Sequence, residues 1–239
     1  MQVLAVDKEQ ILNDGFTIVD DIYTADEIGQ IIKLIDETDQ SNISFRNAGG
    51  LFAIRRFLYQ IPKAKDILFN SKLKQLIANT FGNEFFIMKA IYFDKPEQSN
   101  WFVSRHQDLT IAVKNKVDVN GYGSWTKKEQ NYAVQPPANI LKDNFTIRIH
   151  LDNTDENNGA LRVIPGSHLL GIYRPETINQ ETVIEKIAKV KQGGMMMMRP
   201  LLMHASSRTT SNSRRRVIHL EFSRSVLPNG LEWAEKMAI

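Results

Sequence analysis

The chain has 239 residues, a net charge of +3, a pI near 9.0, 42% hydrophobic and 24% charged residues, and no cysteine. Such values fit one large globular unit that buries its own core, and they exclude disulfides, thiolate metal ligands and a cysteine nucleophile. The charge excess is too small to imply a nucleic-acid partner, Met1 to Gly15 lacks the apolar core of a secretory leader, and no apolar run is long enough to span a bilayer. The expectation is a soluble cytoplasmic protein with a small-molecule partner, neither membrane nor nucleic acid. Its oligomeric state is not legible.

In chain order, Phe16 to Val19 reads as a short apolar strand. Thr24-Ala25-Asp26-Glu27 is a capping box, and Ile28, Ile31, Ile32 and Ile35 follow at helical spacing, which predicts a helix to about Thr38. A second helical region covers Ala64 to Thr80, with Gly82 as its stop. From Phe85 the texture changes to strands: Phe85 to Phe93, Trp101 to Val113, Asn144 to Asp152, Leu161 to Ile164, Met195 to Met198 and Val217 to Phe222. Between Asn144 and Asp152 the residues alternate, with Phe145, Ile147, Ile149 and Leu151 on one face and Thr146, Arg148, His150 and Asp152 on the other. Residues 114–143 lack periodicity and are expected to form a lid-like loop over the site. The expected organisation is a single domain, 1–239. Its helical part covers 1–84 and its β core 85–225. It is mainly β with helices: a double-stranded β-helix, or jelly roll, with the N-terminal helices packed on one side.

Three His-X-Asp/Glu patterns compete for a metal: His106-Gln107-Asp108, His150-Leu151-Asp152 and His219-Leu220-Glu221. Spacing alone does not choose among them. His219 has no histidine downstream, and His150 and His219 sit within strand-like segments where a hydrogen-bonded structural histidine is the simpler reading. His106 stands in a polar patch between apolar segments. His204 follows Leu201-Leu202-Met203, where an apolar strand turns polar. Two histidines and one carboxylate leave open positions on a metal, the ligand set of non-haem Fe(II) that activates oxygen. Arg215 lies downstream in a strand and suits the far carboxylate of a 2-oxo acid. Side chains alternate along a strand, so Arg215 points opposite to Arg214 and Arg216. His168 reads as a surface or substrate-side residue. The Met195 to Met198 run reads as a core strand, since no other soft ligands accompany it.

His106-Gln107-Asp108, Thr146 to Asp152, Asn158-Gly159-Ala160-Leu161-Arg162-Val163-Ile164-Pro165-Gly166-Ser167-His168 and the segment from His204 to Arg215 together resemble the phytanoyl-CoA dioxygenase family. The resemblance implies a double-stranded β-helix that binds Fe(II) through His106, Asp108 and His204, with 2-oxoglutarate and O2 as co-substrates. It implies that Arg215 and Ser206 hold the distal carboxylate of 2-oxoglutarate, and that Met88 and Trp125 line its pocket. The activity implied is hydroxylation of an aliphatic C–H bond of a small molecule, with release of succinate and carbon dioxide. Asp108 favours hydroxylation, because related halogenases lack this carboxylate. The competing reading is a non-catalytic jelly roll that binds a metal or a small ligand. Many relatives carry an aromatic residue before the first histidine, where this chain has Arg105. If Arg105 faces the cavity the substrate is negatively charged, and if it faces solvent it carries no message. Arg148 is a second arginine whose direction is open.

Overall fold

The computed structural model describes residues 6–39, 41, 44–47, 51–97, 102–128, 130–179, 183–228 and 230–239. Residues 1–5 of the Met1 to Gly15 stretch, and Trp101 of the strand expected from Trp101 to Val113, lie outside them. Six α-helices are present among the described residues: α1 (Lys8–Asn13), α2 (Ala25–Asp36), α3 (Phe57–Gln60), α4 (Ala64–Leu68), α5 (Ser71–Phe81) and α6 (Ala138–Asp143). Among the same residues, fifteen strands are interleaved with them. The first eight are β1 (Phe16–Val19), β2 (Phe45–Asn47), β3 (Leu51–Arg55), β4 (Phe86–Lys95), β5 (Val103–His106), β6 (Ile111–Val113), β7 (Gly123–Lys127) and β8 (Tyr132–Gln135). The rest are β9 (Phe145–His150), β10 (Leu161–Val163), β11 (Lys186–Ala188), β12 (Met195–Met198), β13 (His204–Ser206), β14 (Arg215–Ser223) and β15 (Met237–Ala238). No helix among the described residues is long and apolar enough to cross a membrane.

Local sequence sets the helix ends. Thr24 Oγ1 accepts from Glu27 N at 3.2 Å while Glu27 Oε2 accepts from Thr24 N at 2.7 Å, so α2 starts at the capping box. The region expected as one helix from Ala64 to Thr80 is two. Asn70 has extended backbone, and its Oδ1 accepts from Leu73 N at 3.0 Å, capping α5 and ending α4. Gly82 closes α5 at φ 99°, a conformation that costs glycine nothing.

A large antiparallel sheet runs in the order β1-β12-β9-β14-β4-β3-β2, with β15 added to β4. A smaller sheet, β11-β10-β13-β5, completes the double-stranded β-helix, and β6-β8-β7 forms a third. The alternation read in β9 is real. Phe145, Ile147 and Ile149 belong to a core shared with Ile28, Ile31 and Ile35 of α2 and with Leu73, Leu76 and Ile77 of α5. Phe145 stacks between Phe81 and Phe222, with centroids at 3.8 and 4.6 Å. The methionine strand divides the same way. Met195 and Met197 join the helix-side core, and Met196 and Met198 pack with Leu161, Val163 and Leu202 of the second core.

Two expectations change. Besides the expected strand β1, residues 1–84 carry the β2–β3 hairpin, which extends the large sheet at the end opposite β1. Residues 114–143 are not a structureless loop, since they carry β7, β8 and α6, and Ile111 pairs with Val134 across β6 and β8. A short meander of glycine-interrupted strands gives little periodicity to read.

Candidate metal centre

β5 and β13 are antiparallel neighbours, and their register sets His106 directly opposite His204. Asp108 follows β5, its backbone N–H held by the Pro200 carbonyl at 2.9 Å. One ligand atom from each of the three lies within 4.8 Å of the others. His106 Nε2 is 3.8 Å from Asp108 Oδ1, and His204 Nε2 is 4.0 Å from Oδ2. Each ring is oriented through its other nitrogen: His106 Nδ1 is 2.8 Å from the Ser104 carbonyl, and His204 Nδ1 is 2.8 Å from the Leu202 carbonyl. A carbonyl only accepts, so both Nδ1 atoms carry the proton and both Nε2 lone pairs face the carboxylate. Burial pushes the His204 imidazole down to about 4, so this ring is neutral at pH 7. Burial pushes the Asp108 carboxyl up, but His204, His219, Lys89 and His106 together pull it below its ordinary value. Asp108 Oδ2 is buried without a hydrogen-bond partner. Two lone pairs and a carboxylate aimed at one point repel each other unless a cation sits among them, so the donor set fits a divalent metal.

Gln107, between the two ligands, has no part in the sequence argument beyond its place in the triplet, yet it locks the ligand loop. Its Nε2 donates to the Gly171 and Leu201 carbonyls at 2.8 and 2.7 Å, and its Oε1 accepts from Tyr173 N at 3.1 Å. Ser167 of the Pro165-Gly166-Ser167-His168 stretch accepts from Met203 N at 2.8 Å, one residue before His204. These contacts join segments far apart in sequence, so spacing gives no hint of them.

The triad lines a cavity of about 200 Å³ that Arg148, Ser206, Arg215 and His219 also line. Arg215 is buried, and its Nε and Nη1 have no hydrogen-bond partner. Burial, with Arg148 nearby, lowers its guanidinium to about 9, still protonated at neutral pH. Lys95 lies opposite Arg215 in the β4–β14 ladder, fully buried, with Nζ 3.4 Å from Ser206 Oγ. Burial and Arg215 bring Lys95 down to about 7. Gly159 explains its own place in the motif. At φ 85°, a Cβ there would meet Lys95 Nζ at 2.8 Å and the Ser207 carbonyl at 3.0 Å, and its carbonyl accepts from Ser206 Oγ at 3.0 Å. A buried, protonated guanidinium costs several kcal/mol unless an anion answers it, so the Arg215 end of the cavity fits a carboxylate.

Arg214 and Arg216 point away from Arg215. Arg214 clamps Asp94, with Nε donating to Oδ1 at 2.8 Å, and Arg216 holds Asp152 through Nε at 2.9 Å and Nη2 at 2.7 Å. Asp152 is therefore an ion-pair partner, and His150 bonds Thr154 Oγ1 through Nδ1 at 2.7 Å, a structural role. His219 is hydrogen-bonded on both nitrogens yet lines the metal cavity. Arg148 Nη1 is 2.9 Å from its Nδ1 and Glu221 Oε1 is 3.0 Å from its Nε2. A guanidinium only donates, so the ring proton faces Glu221, which also pairs with Lys89 at 2.8 Å. Arg148 thus faces the cavity. Arg105 does not line it, because its Nε binds Glu185 Oε1 at 2.8 Å. His168 binds the Leu12 carbonyl at 3.1 Å, away from the metal cavity.

Met88 and Trp125, which the family resemblance implied as pocket-lining, are not brought to the metal cavity. The β4–β14 register shifts between Glu221 and Phe222, and Met88 occupies the bulge, buried beside Ile111, Val113 and Leu141. Trp125 packs against the same cluster, edge-on to Tyr132 with centroids 6.3 Å apart.

No curated protein matches this chain. Among solved structures, it is similar to EvdMO1 (21% identity, TM-score 0.68), covering 92% of this chain and 50% of that one. It thus spans half the length of that relative. It is similar to EctD from S. alaskensis (17% identity, TM-score 0.71; 93% and 78% covered) and to AviO1 from Streptomyces viridochromogenes Tue57 (19%, 0.63; 92% and 95%). At these identities the likeness establishes the fold. EctD has also been solved with bound Fe, and with 2-oxoglutarate and 5-hydroxyectoine. The model of the phytanoyl-CoA dioxygenase (PhyH) family matches residues 11–217, most of the chain and all of the metal triad. The chain belongs to the phytanoyl-CoA dioxygenase family.

Proposed function

We propose that this protein is an Fe(II)- and 2-oxoglutarate-dependent dioxygenase that hydroxylates an aliphatic C–H bond of a small molecule. The observation that carries the reading is one cavity with an acceptor-only His106–Asp108–His204 cluster and the buried, unpartnered guanidinium of Arg215. Family membership and the Fe and 2-oxoglutarate complexes of EctD support the same cofactors.

In this reading His106, Asp108 and His204 hold Fe(II). Arg215 and Ser206 hold the distal carboxylate of 2-oxoglutarate, and Lys95 adds positive charge beside them. When bound, the metal and co-substrate supply oxygen activation coupled to decarboxylation to succinate. The chain orients them. The Ser104 and Leu202 carbonyls fix both imidazole tautomers, and Gln107 fixes the loop between two ligands. The Arg148–His219–Glu221–Lys89 hydrogen-bond network gives the cavity wall a fixed polar surface rather than mobile water.

The test is succinate formation from 2-oxoglutarate by anaerobically Fe(II)-loaded protein exposed to oxygen, with and without a mixed metabolite pool. Turnover is expected to rise with the pool and to disappear in Asp108→Ala and in Arg215→Ala. Failure of the wild type to bind either Fe(II) or 2-oxoglutarate would sink the reading and leave a non-catalytic jelly roll.

A further inference from the structure

A second cavity, of about 280 Å³, adjoins the metal centre and shares Lys89 and Ile91 with its wall. Thr110, two residues past Asp108, also lines it. Ile91, Ile111 and Ala133 give it apolar surface, while Gln130 and Asn131 contribute amides. The size is just below the usual range for drug-sized ligands, so it suits a metabolite.

Its charge is one-sided. Arg55, Arg56 and Lys128 line it, against Glu235 as the carboxylate facing it among the described residues. Lys89 is neutralised by Glu221 at 2.8 Å. Burial pushes the Glu235 carboxyl up to about 7, so near neutral pH it cancels only part of one positive charge. Arg56 is no solvated surface arginine. Its Nε is buried without a hydrogen-bond partner, its Nη1 donates to Gln130 Oε1 at 2.8 Å, and its guanidinium lies 4.7 Å from the Tyr59 ring centroid. Its backbone is held left-handed at φ 53° and ψ 43°, a strain that a non-glycine residue keeps only where its surroundings impose it. Arg105, the position where the sequence offered a charge sensor, is occupied with Glu185.

We propose that this cavity is the substrate site and that it selects a small molecule with an anionic head, a carboxylate or a phosphate, held by Arg55, Arg56 and Lys128. The apolar body of that molecule runs along Ile91 and Ile111 toward the metal centre. Guanidinium and ammonium groups suit either head, the former through paired N–H donors and the latter as a point charge. Calling the ligand a substrate rests on the oxygenase reading, whereas the anion preference does not.

The experiment is calorimetric titration of the full chain, with 2-oxoglutarate saturating and with or without anaerobic Fe(II). Four probes of equal chain length are used: hexanoate, hexyl phosphate, hexanamide and hexylamine. At least one anion is expected to bind about tenfold or more tightly than the neutral amide, with the amine weakest. The better of the two anions identifies the head group. Lys128→Gln, at an exposed position, and Arg56→Gln are each expected to weaken the anion about threefold to tenfold and leave hexanamide unchanged. An anion that binds no better than hexanamide, or an anion preference unchanged in Lys128→Gln, overturns the proposal. The visible charge-transfer band of Fe(II) with 2-oxoglutarate is recorded on the same samples. Loss of that band with anion selectivity intact removes the oxygenase reading alone, and the converse removes the anion site alone.

Discussion

Single side chains in this protein are tuned by what surrounds them more than by their own chemistry. Arg214, Arg215 and Arg216 are consecutive, yet two are matched to Asp94 and Asp152 and the middle one is buried without a carboxylate. Glu235 gives a measurable case. Burial raises its folded-state value to about 7, well above the ordinary 4.5. Between those values the folded chain binds more protons than the unfolded chain, so this residue's contribution to stability falls as pH rises through that window. Glu235→Gln removes the dependence. The variant is expected to be more stable than wild type at pH 8, by up to about 3 kcal/mol, and to differ little at pH 4.5. Urea unfolding at the two pH values checks it, and equal differences at both would contradict the assignment.

At the scale of elements, the site is made by strand register. His106 meets His204 because β5 and β13 pair there, and Arg215 meets Lys95 because β14 and β4 pair along nearly their whole length. A one-residue slip would turn Arg148 and His219 out of the cavity, since side chains alternate with period two. The helices supply the opposite face of the large sheet with apolar cover. Asn70 is the junction there: it caps α5, and its Nδ2 reaches Glu27 Oε1 at 3.1 Å and the Ile22 carbonyl at 3.3 Å. Asn70→Ala is expected to cost about 1–2 kcal/mol of stability, read as a shift in the urea midpoint with unchanged slope. Fe(II) affinity should not move, because the cap lies on the helix side of the sheet.

For the whole molecule, the folded state gathers groups that repel one another. Three acceptors converge at the triad, while Arg148 and Arg215 are buried cations. Ligands that answer these charges should stabilise the fold. At about a hundredfold excess over its dissociation constant a ligand adds about 2.7 kcal/mol, worth roughly 5–10 °C in Tm for a chain of this size. Anaerobic Fe(II) with 2-oxoglutarate is therefore expected to raise Tm by that order in wild type and by much less in Asp108→Ala. An equal rise in both would place the metal elsewhere.

The residues proposed as metal ligands, the proposed anchor arginine and the strand texture are legible because they obey local rules. His106 and Asp108 occupy a polar break between apolar runs, Asn158 to His168 is a long motif, and β9 alternates strictly. The polar setting of His106 and the family likeness distinguish it from His150, and the register of β5 against β13 sets it opposite His204. What lay beyond the sequence depends on contacts between distant segments. Gln107 reaches Gly171 and Leu201, Lys95 reaches Ser206, and the meander of residues 111–135 joins Arg55 and Arg56 around a second cavity. The bulge that turns Met88 into the third core leaves no mark on period or composition, because it is set by the partner strand. The sequence by itself determined which residue types were present for metal and carboxylate binding and which strands carried them. The tertiary structure decided which of them meet, because register, bulges and burial are properties of pairs of segments and not of any one.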